Sequence, residues 1–281
     1  MSFKRSSRPS TERGFGLIEL LISASLASIS LLAVAQFFSM QAKQQKGQSY
    51  RVEMQQALRS SLDTITRDLR LAGACLPSTG DFVAIDATNG TGANPDTITI
   101  RSGIVRADLS CIVTSLSALT QAGQTTLTVT SAGGFVVGQL VLLRHPGGFG
   151  QVTFVTSAAG TNVVVADAAT QDYPVGSGLF AVDERVYQID TTVTPNRLML
   201  TVNRAVPEAF AAGITDLQFQ YILQQNCPTC DVVDLPPDDP TWRLVNEVLV
   251  TARAATVGAT RTQDQVSMTE TSRGKPRNLL P

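Results

Sequence analysis

The chain has 281 residues, 43% of them hydrophobic and 16% charged, with a formal charge of -1. That length suffices for one large domain or two small ones with a real core, and the composition places the chain in no special class. The near balance of charge excludes a broad electrostatic footprint for nucleic acid and leaves room only for a local patch.

Charge is unevenly placed along the chain. Residues 1–14 carry Lys4, Arg5, Arg8 and Arg13 against Glu12; taken from 22 basic and 23 acidic side chains, they leave 18 and 22, a balance of -4. From Phe15 to Phe38 run 24 residues, mainly Leu, Ile, Ala and Ser, of which Glu19 alone is charged. At about 1.5 Å rise per residue this predicts a helix of roughly 36 Å, enough to cross a hydrocarbon core of about 30 Å. The run exceeds the roughly 7–15 residues of a secretory signal's apolar region. Basic residues ahead of it orient the amino terminus to the cytoplasm and put everything beyond about Gln41 outside. Hydropathy alone supports a simple signal anchor. Glu19 asks for more, because an acid at the centre of a membrane helix costs roughly 2.5–3.5 kcal/mol, somewhat less near its edge, and needs a partner.

The string Gly14, Phe15, Gly16, Leu17, Ile18, Glu19, Leu20 resembles the prepilin motif of type IV pilins and type II secretion pseudopilins. The resemblance implies that a dedicated peptidase cuts after Gly14, that the new terminus at Phe15 is methylated, and that Glu19 becomes the acid at the fifth position. Gly16 stands where that family more often has Thr or Ser. After cleavage the α-amino group is a cation at the edge of an apolar helix bundle, which a carboxylate on a neighbouring subunit can neutralise. Opposite charges at about 4 Å attract by about 4 kcal/mol at an effective dielectric of 20, before desolvation is counted, so such a pair sets register more than it adds stability.

Beyond the apolar run Met54, Leu58, Leu62, Ile65, Leu69 and Ala72 recur at helical steps, while Arg59, Asp63, Arg67, Asp68 and Arg70 mostly occupy the other faces. An amphipathic helix is expected, ending at Gly73 with Pro77 soon after. Counted from Phe15 to Ala72 it spans 58 residues, with Gly47 as the soft point. No proline interrupts its first half, so Ser23, Ser25, Ser28 and Ser30 are the candidates for local melting, against their default role in helix packing. The stretch Asp63 to Cys75 is similar to the end of this helix in minor pilins of the PilW type and in J-type pseudopilins.

After Cys75 come short β-branched runs between turn signals. Strands are expected at Thr97–Arg101, Thr125–Thr130, Gly138–Arg144, Val152–Thr156, Thr161–Ala166, Leu179–Val182, Arg185–Asp190, Arg197–Val202, Gly213–Tyr221 and Val245–Ala255, the last sheet strand starting from Arg243. A weak repeat lies inside this region. Leu127 to Val129 and Phe135 to Gly138 have counterparts in Val163 to Val165 and Tyr173 to Gly176, suggesting two similar hairpin units in a small β module over about 115–180. The flanking runs resemble the carboxy-terminal sheet of PilW-type proteins, which makes that module look like an insertion.

Four cysteines, Cys75, Cys111, Cys227 and Cys230, follow the apolar segment, and outside the cytoplasm two disulfides are their simplest use. Cys227 and Cys230 form a CxxC that can be a local disulfide, a redox centre or part of a zinc site. It leads into a proline-rich acidic loop rather than opening a helix, which favours a structural bridge, with Cys75 and Cys111 as the other pair. Asp231, Asp234, Asp238 and Asp239 could offer oxygens to calcium but lack the spacing of a calcium loop, so a solvated loop is the default. His145, the single histidine, sits in a glycine-rich turn and reads as a surface residue.

These readings add up to an α+β, pilin-like chain: one long amino-terminal helix packed on an antiparallel β-sheet head with an inserted small β module. The expected segments are a leader at 1–14, a membrane and filament-core helix at 15–40, its extension at 41–73, a head at 74–267 holding the module at 115–180, and a tail at 268–281. The expected function is non-enzymatic, with no cofactor and no metal: a minor pilin that starts or primes a type IV pilus near its tip. Alternatives are a J-like pseudopilin of type II secretion and a membrane-anchored extracytoplasmic binding module. The resemblance implies the prepilin peptidase, other minor pilins, the major pilin and the inner-membrane assembly platform as partners, with membrane lipid around Phe15 to Phe38. It places the chain in the bacterial inner membrane, head in the periplasm, and in the pilus once assembled.

Overall fold

The computed structural model describes residues 16–91, 94–223, 232–255 and 267–276. A single helix, α1, covers Leu17–Leu71, and the chain divides into two compact units, Met1–Arg51 and Val52–Pro281. In the first unit every described residue is exposed, and the helix continues through Gly47 without a break.

In the second unit α1 buries Leu58, Ser61, Ile65 and Asp68 on one stripe, which Ala72 continues just past its end, flanked by Met54, Leu62 and Leu69. The helix stops where Gly73 takes φ +76°, a value that side chains disfavour, and the Gly73 N–H donates to the carbonyl of Arg101 at 2.9 Å. The strands that follow are β1 Ile85–Thr88, β2 Thr97–Gly103, β3 Val113–Ser115, β4 Thr126–Thr128, β5 Leu140–Arg144, β6 Gly150–Ala159 and β7 Asn162–Val165. Next come β8 Gly178–Asp190, β9 Arg197–Val202, β10 Glu208–Ala212, β11 Ile214–Leu223 and β12 Val232–Val233, then a one-turn helix α2 at Asp239–Trp242, β13 Val245–Ala255 and β14 Ser267–Gly274. They form a ten-stranded and a four-stranded antiparallel sheet, the latter in the order β12, β11, β13, β14. The stripe of α1 meets both sheets in one core with Ile98, Tyr187, Leu198, Phe219, Tyr221 and Val250. This is an α+β arrangement of one long helix packed on antiparallel sheets.

A second core lies inside a small barrel. β3 pairs with β8, β8 with β5, β5 with β6, β6 with β7 and β7 with β4. Two backbone bonds, Ser117 N to Thr128 O and Thr130 N to Ser115 O, each 2.9 Å, join β3 to β4 and close the ring of six strands. Exchanging β3 with β6, β4 with β7 and β5 with β8 reproduces every neighbour relation, so the barrel has a pseudo-two-fold axis. The sequence repeat is that symmetry, but its copies are not hairpins. Leu127 of one copy pairs with Val163 of the other, and each copy sends its chain across the barrel rather than back along its own strand. The crossings carry the buried aromatics Phe135 and Tyr173 and end at Gly138 and Gly176, with φ of +82° and +89°. No atom lies close to either glycine's missing Cβ, so backbone conformation alone calls for glycine there.

Several expectations need correction. Leu179–Val182 and Arg185–Asp190 are one strand, because the charges that suggest a gap are paired. Glu184 is buried, with Arg101 at 2.7 Å and Arg204 at 3.1 Å. Burial raises its pKa, but the bond and charge of Arg101, then those of Arg204, outweigh that and hold the carboxyl below its usual range. The expected tail contains β14, whose Ser, Thr and Glu residues lack the apolar alternation that marks a strand, and the last strand is therefore not the one near Arg243. Asp68 lies in the interior rather than on a polar face.

Tyr221 shows a polar group that the core does not use. Its ring meets Trp242 edge-on at 4.9 Å, and its buried hydroxyl has no partner among the described residues. Burial, then the charges of Asp96 and Asp86, raise its pKa above the usual tyrosine range. Tyr221→Phe is therefore expected to leave stability unchanged or raise it by about 1 kcal/mol in urea unfolding, since an unmade buried bond is lost with the hydroxyl. Because the folded phenol keeps its proton to a higher pH than the unfolded one, stability falls as pH rises from the ordinary tyrosine pKa through the higher folded value, so the variant's alkaline fall should also be shallower.

Candidate functional site

Of the residues singled out by the motif, Leu17 to Leu20 open α1. Gly14 and Phe15 lie outside the described residues. Glu19 occupies the first turn, where its N–H and that of Leu20 donate to the carbonyl of Gly16 at 3.0 and 3.2 Å. A carboxylate there also complements the positive end of the helix, a second reason for an acid at this spot that hydropathy does not reveal.

Behind it the apolar side chains point outward all round, with Leu20 64% and Phe38 63% exposed. An apolar surface with no core to enter is built for lipid or for other helices. The four serines named as melting candidates do not break the helix. Ser25 donates to Ile22 O and Ser28 to Ala24 O at 2.8 Å, Ser30 to Leu26 O at 2.9 Å, and Ser23 to the carbonyl of Glu19. Each hydroxyl is satisfied within its own turn, as a hydrocarbon surrounding requires. No charge follows Glu19 until Lys43 and Lys46, so Leu20 to Ala42 forms one uncharged span.

In the head Cys75 and Cys111 form a disulfide that joins the segment after α1 to the loop before β3, with their Cα atoms 5.5 Å apart. Cys227 and Cys230 lie outside the described residues, as does Asp231. Asp234 accepts from Gln220 Nε2 at 3.1 Å, and Asp238 caps α2 by accepting from Thr241 N at 2.9 Å, so both acids already serve the fold. Among the described residues no group of three or more His, Cys, Asp or Glu is placed to hold a metal ion. His145 is half-buried rather than a simple surface residue. It stacks on Phe149 at 4.0 Å, meets Tyr173 edge-on at 6.2 Å, and accepts from Gly147 N through Nδ1 at 2.7 Å, which leaves the proton of the neutral ring on Nε2.

Asp68 is the feature that pattern reading missed. Its carboxylate accepts from Arg185 Nη1 at 3.0 Å on both oxygens and from the Tyr187 hydroxyl at 2.6 Å, a polar clamp between α1 and β8. Burial alone would lower the Arg185 pKa, but the charges of Asp68 and then Asp183 hold it above the ordinary range. The signal was there in the spacing, since Asp68 continues the buried stripe three residues after Ile65 and seven after Ser61.

No curated protein matches the chain. Residues 9–35 match the family model described as the Prokaryotic N-terminal methylation motif, and with the outward-facing apolar helix behind it this marks the chain as type IV pilin- or pseudopilin-like.

Proposed function

We infer that the chain is a minor pilin that helps start or prime a type IV pilus, near the pilus tip, and has no catalytic role. The observation that carries this reading is Glu19, the one charge between Leu17 and Ala42, the apolar and fully exposed first part of α1, which begins just after the expected cleavage site. On this reading the prepilin peptidase cuts between Gly14 and Phe15 and the new amine is methylated. Glu19 then meets the Phe15 amine of an adjacent subunit as the helix leaves lipid for the filament. Other minor pilins, the major pilin and the assembly platform are the partners, and the head lies in the periplasm before assembly.

The pilus is favoured over a J-like secretion pseudopilin because the six-stranded barrel enlarges the head beyond what such a pseudopilin carries. Two measurements separate the readings. Mass spectrometry of the mature protein is expected to find a methylated amino-terminal Phe15; an uncut chain, or an unmethylated end elsewhere, would reduce the protein to a simple anchor. A deletion strain is expected to lose surface pili while keeping its secreted proteins, and the reverse would assign the chain to secretion.

A further inference from the structure

The two sheets have four outer strands among the described residues, and three of them are blunted. β1 has four residues and β12 two, while β10 has five with a register shift between Ala209 and Ala211. Shortness and bulges are common means by which a folded protein keeps an edge from pairing with another chain. β14 has neither. It runs eight residues in unbroken register with β13, from Ser267 opposite Ala255 to Gly274 opposite Val248, and contains no proline and no lysine. The one acid of the strand is turned back on the chain itself. Glu270 lies 3.7 Å from Arg59 and is 28% exposed.

We propose that β14 is a docking strand, which takes in by strand addition an extended, carboxylate-bearing segment of a companion subunit. A row of alternating main-chain N–H and C=O groups selects the form of the occupant, since another extended strand matches its spacing. The side chains select its chemistry. Thr269 and Thr271 face outward, and the Thr271 hydroxyl lies 3.2 Å from that of Thr251, giving a pleated threonine surface that an added strand can extend. Arg253 and Arg273 are 60% and 66% exposed and Lys275, two residues beyond Arg273, is exposed, whereas the acids paired with the two arginines, Asp216 and Glu247, are only 15% and 24% exposed. The charge that this edge shows to water is positive, so carboxylates on the incoming strand complement it. The inference rests on the pilin reading only for the supplier of the strand.

The test needs no filament. The full chain in a neutral detergent is titrated with a fluorescein-labelled peptide of alternating threonine and valine that carries two glutamates, and binding is read by anisotropy. Saturable binding is expected, abolished when alternate backbone amides of the peptide are methylated and weakened about tenfold when its glutamates become lysines. Arg273→Glu combined with Lys275→Glu should reverse the preference between the two peptides, and these exposed positions leave the core untouched. Absence of saturable binding, equal binding of the methylated peptide, or an unchanged preference in the double variant would each overturn the docking strand. Any of these would leave the pilin reading standing, because that reading depends on the mature amino terminus.

Discussion

Glu19→Val is expected to leave cleavage and membrane insertion intact while the protein's share in sheared filaments falls by about tenfold, which corresponds to a net coupling of about 1.4 kcal/mol. That net is about a third of the gross attraction of roughly 4 kcal/mol between two charges at close range and intermediate dielectric, the remainder being offset by desolvation. Valine removes the charge but suits lipid, so insertion is not the step that suffers. Immunoblots of filament and membrane fractions give the readout, with mass spectrometry of the amino terminus to show that processing is unchanged. Glu19 also sits in the first turn of α1, where a carboxylate stabilises a helix by about 0.3–1 kcal/mol. Glu19→Gln removes the charge while keeping nearly the same shape. If either variant reaches filaments as well as the wild type, the ion pair has no part in assembly.

Asp68→Ala is expected to lower the unfolding free energy of the second unit by about 3–5 kcal/mol, the cost of removing one partner from a buried ion pair. The loss has two parts. Arg185 would lose the acceptor of two of its bonds, and Tyr187 would keep a buried hydroxyl with nothing to donate to. Arg185 is about one-third exposed and already donates through Nε to Asp183 at 3.1 Å, a bond it would keep, which places the expected value near the lower end. Urea unfolding followed by Trp242 fluorescence measures it. The clamp also predicts the direction of a pH effect. Burial first, then the bond and charge of Asp68, raise the Tyr187 pKa above the tyrosine range. Stability from this hydroxyl is present below the ordinary tyrosine value and falls as pH rises through the folded one, and without Asp68 that fall should shrink. A cost below about 1 kcal/mol would mean that apolar packing alone seats α1 on the sheets.

The legible parts of this protein were those that rest on local pattern. The apolar span, the stripe from Met54 to Ala72, and strands such as Arg197–Val202 and Val245–Ala255 follow from periods of 3.6 and 2 within a few residues of one another. Long-range charge pairing could not be read. Glu184 looks like an interruption until Arg101 and Arg204, far away in sequence, are seen to neutralise it. β14 was missed for a related reason: its polar residues carry no strand signal alone, and only pairing with β13 holds them extended. At the anchor, the importance of Glu19 was visible because a charge in an apolar run stands out, whereas Asp68 was hidden among other charges on an amphipathic helix.

β8 serves both cores at once. Residues 178–182 form a wall of the barrel beside β5, and residues 182–187 pair with β2 in the sheet that α1 covers. For a chain held at its amino terminus, the head emerges from β1 onward, and β2 must wait with one long edge bare until more than seventy residues have followed it. The barrel has all its strands once β8 is present, whereas the core that α1 covers still waits for β11 and β13. The head is thus finished in two steps, the barrel with β8 and the core under α1 with the later sheet, and the interval before β8 is when the bare edge of β2 is open to wrong partners.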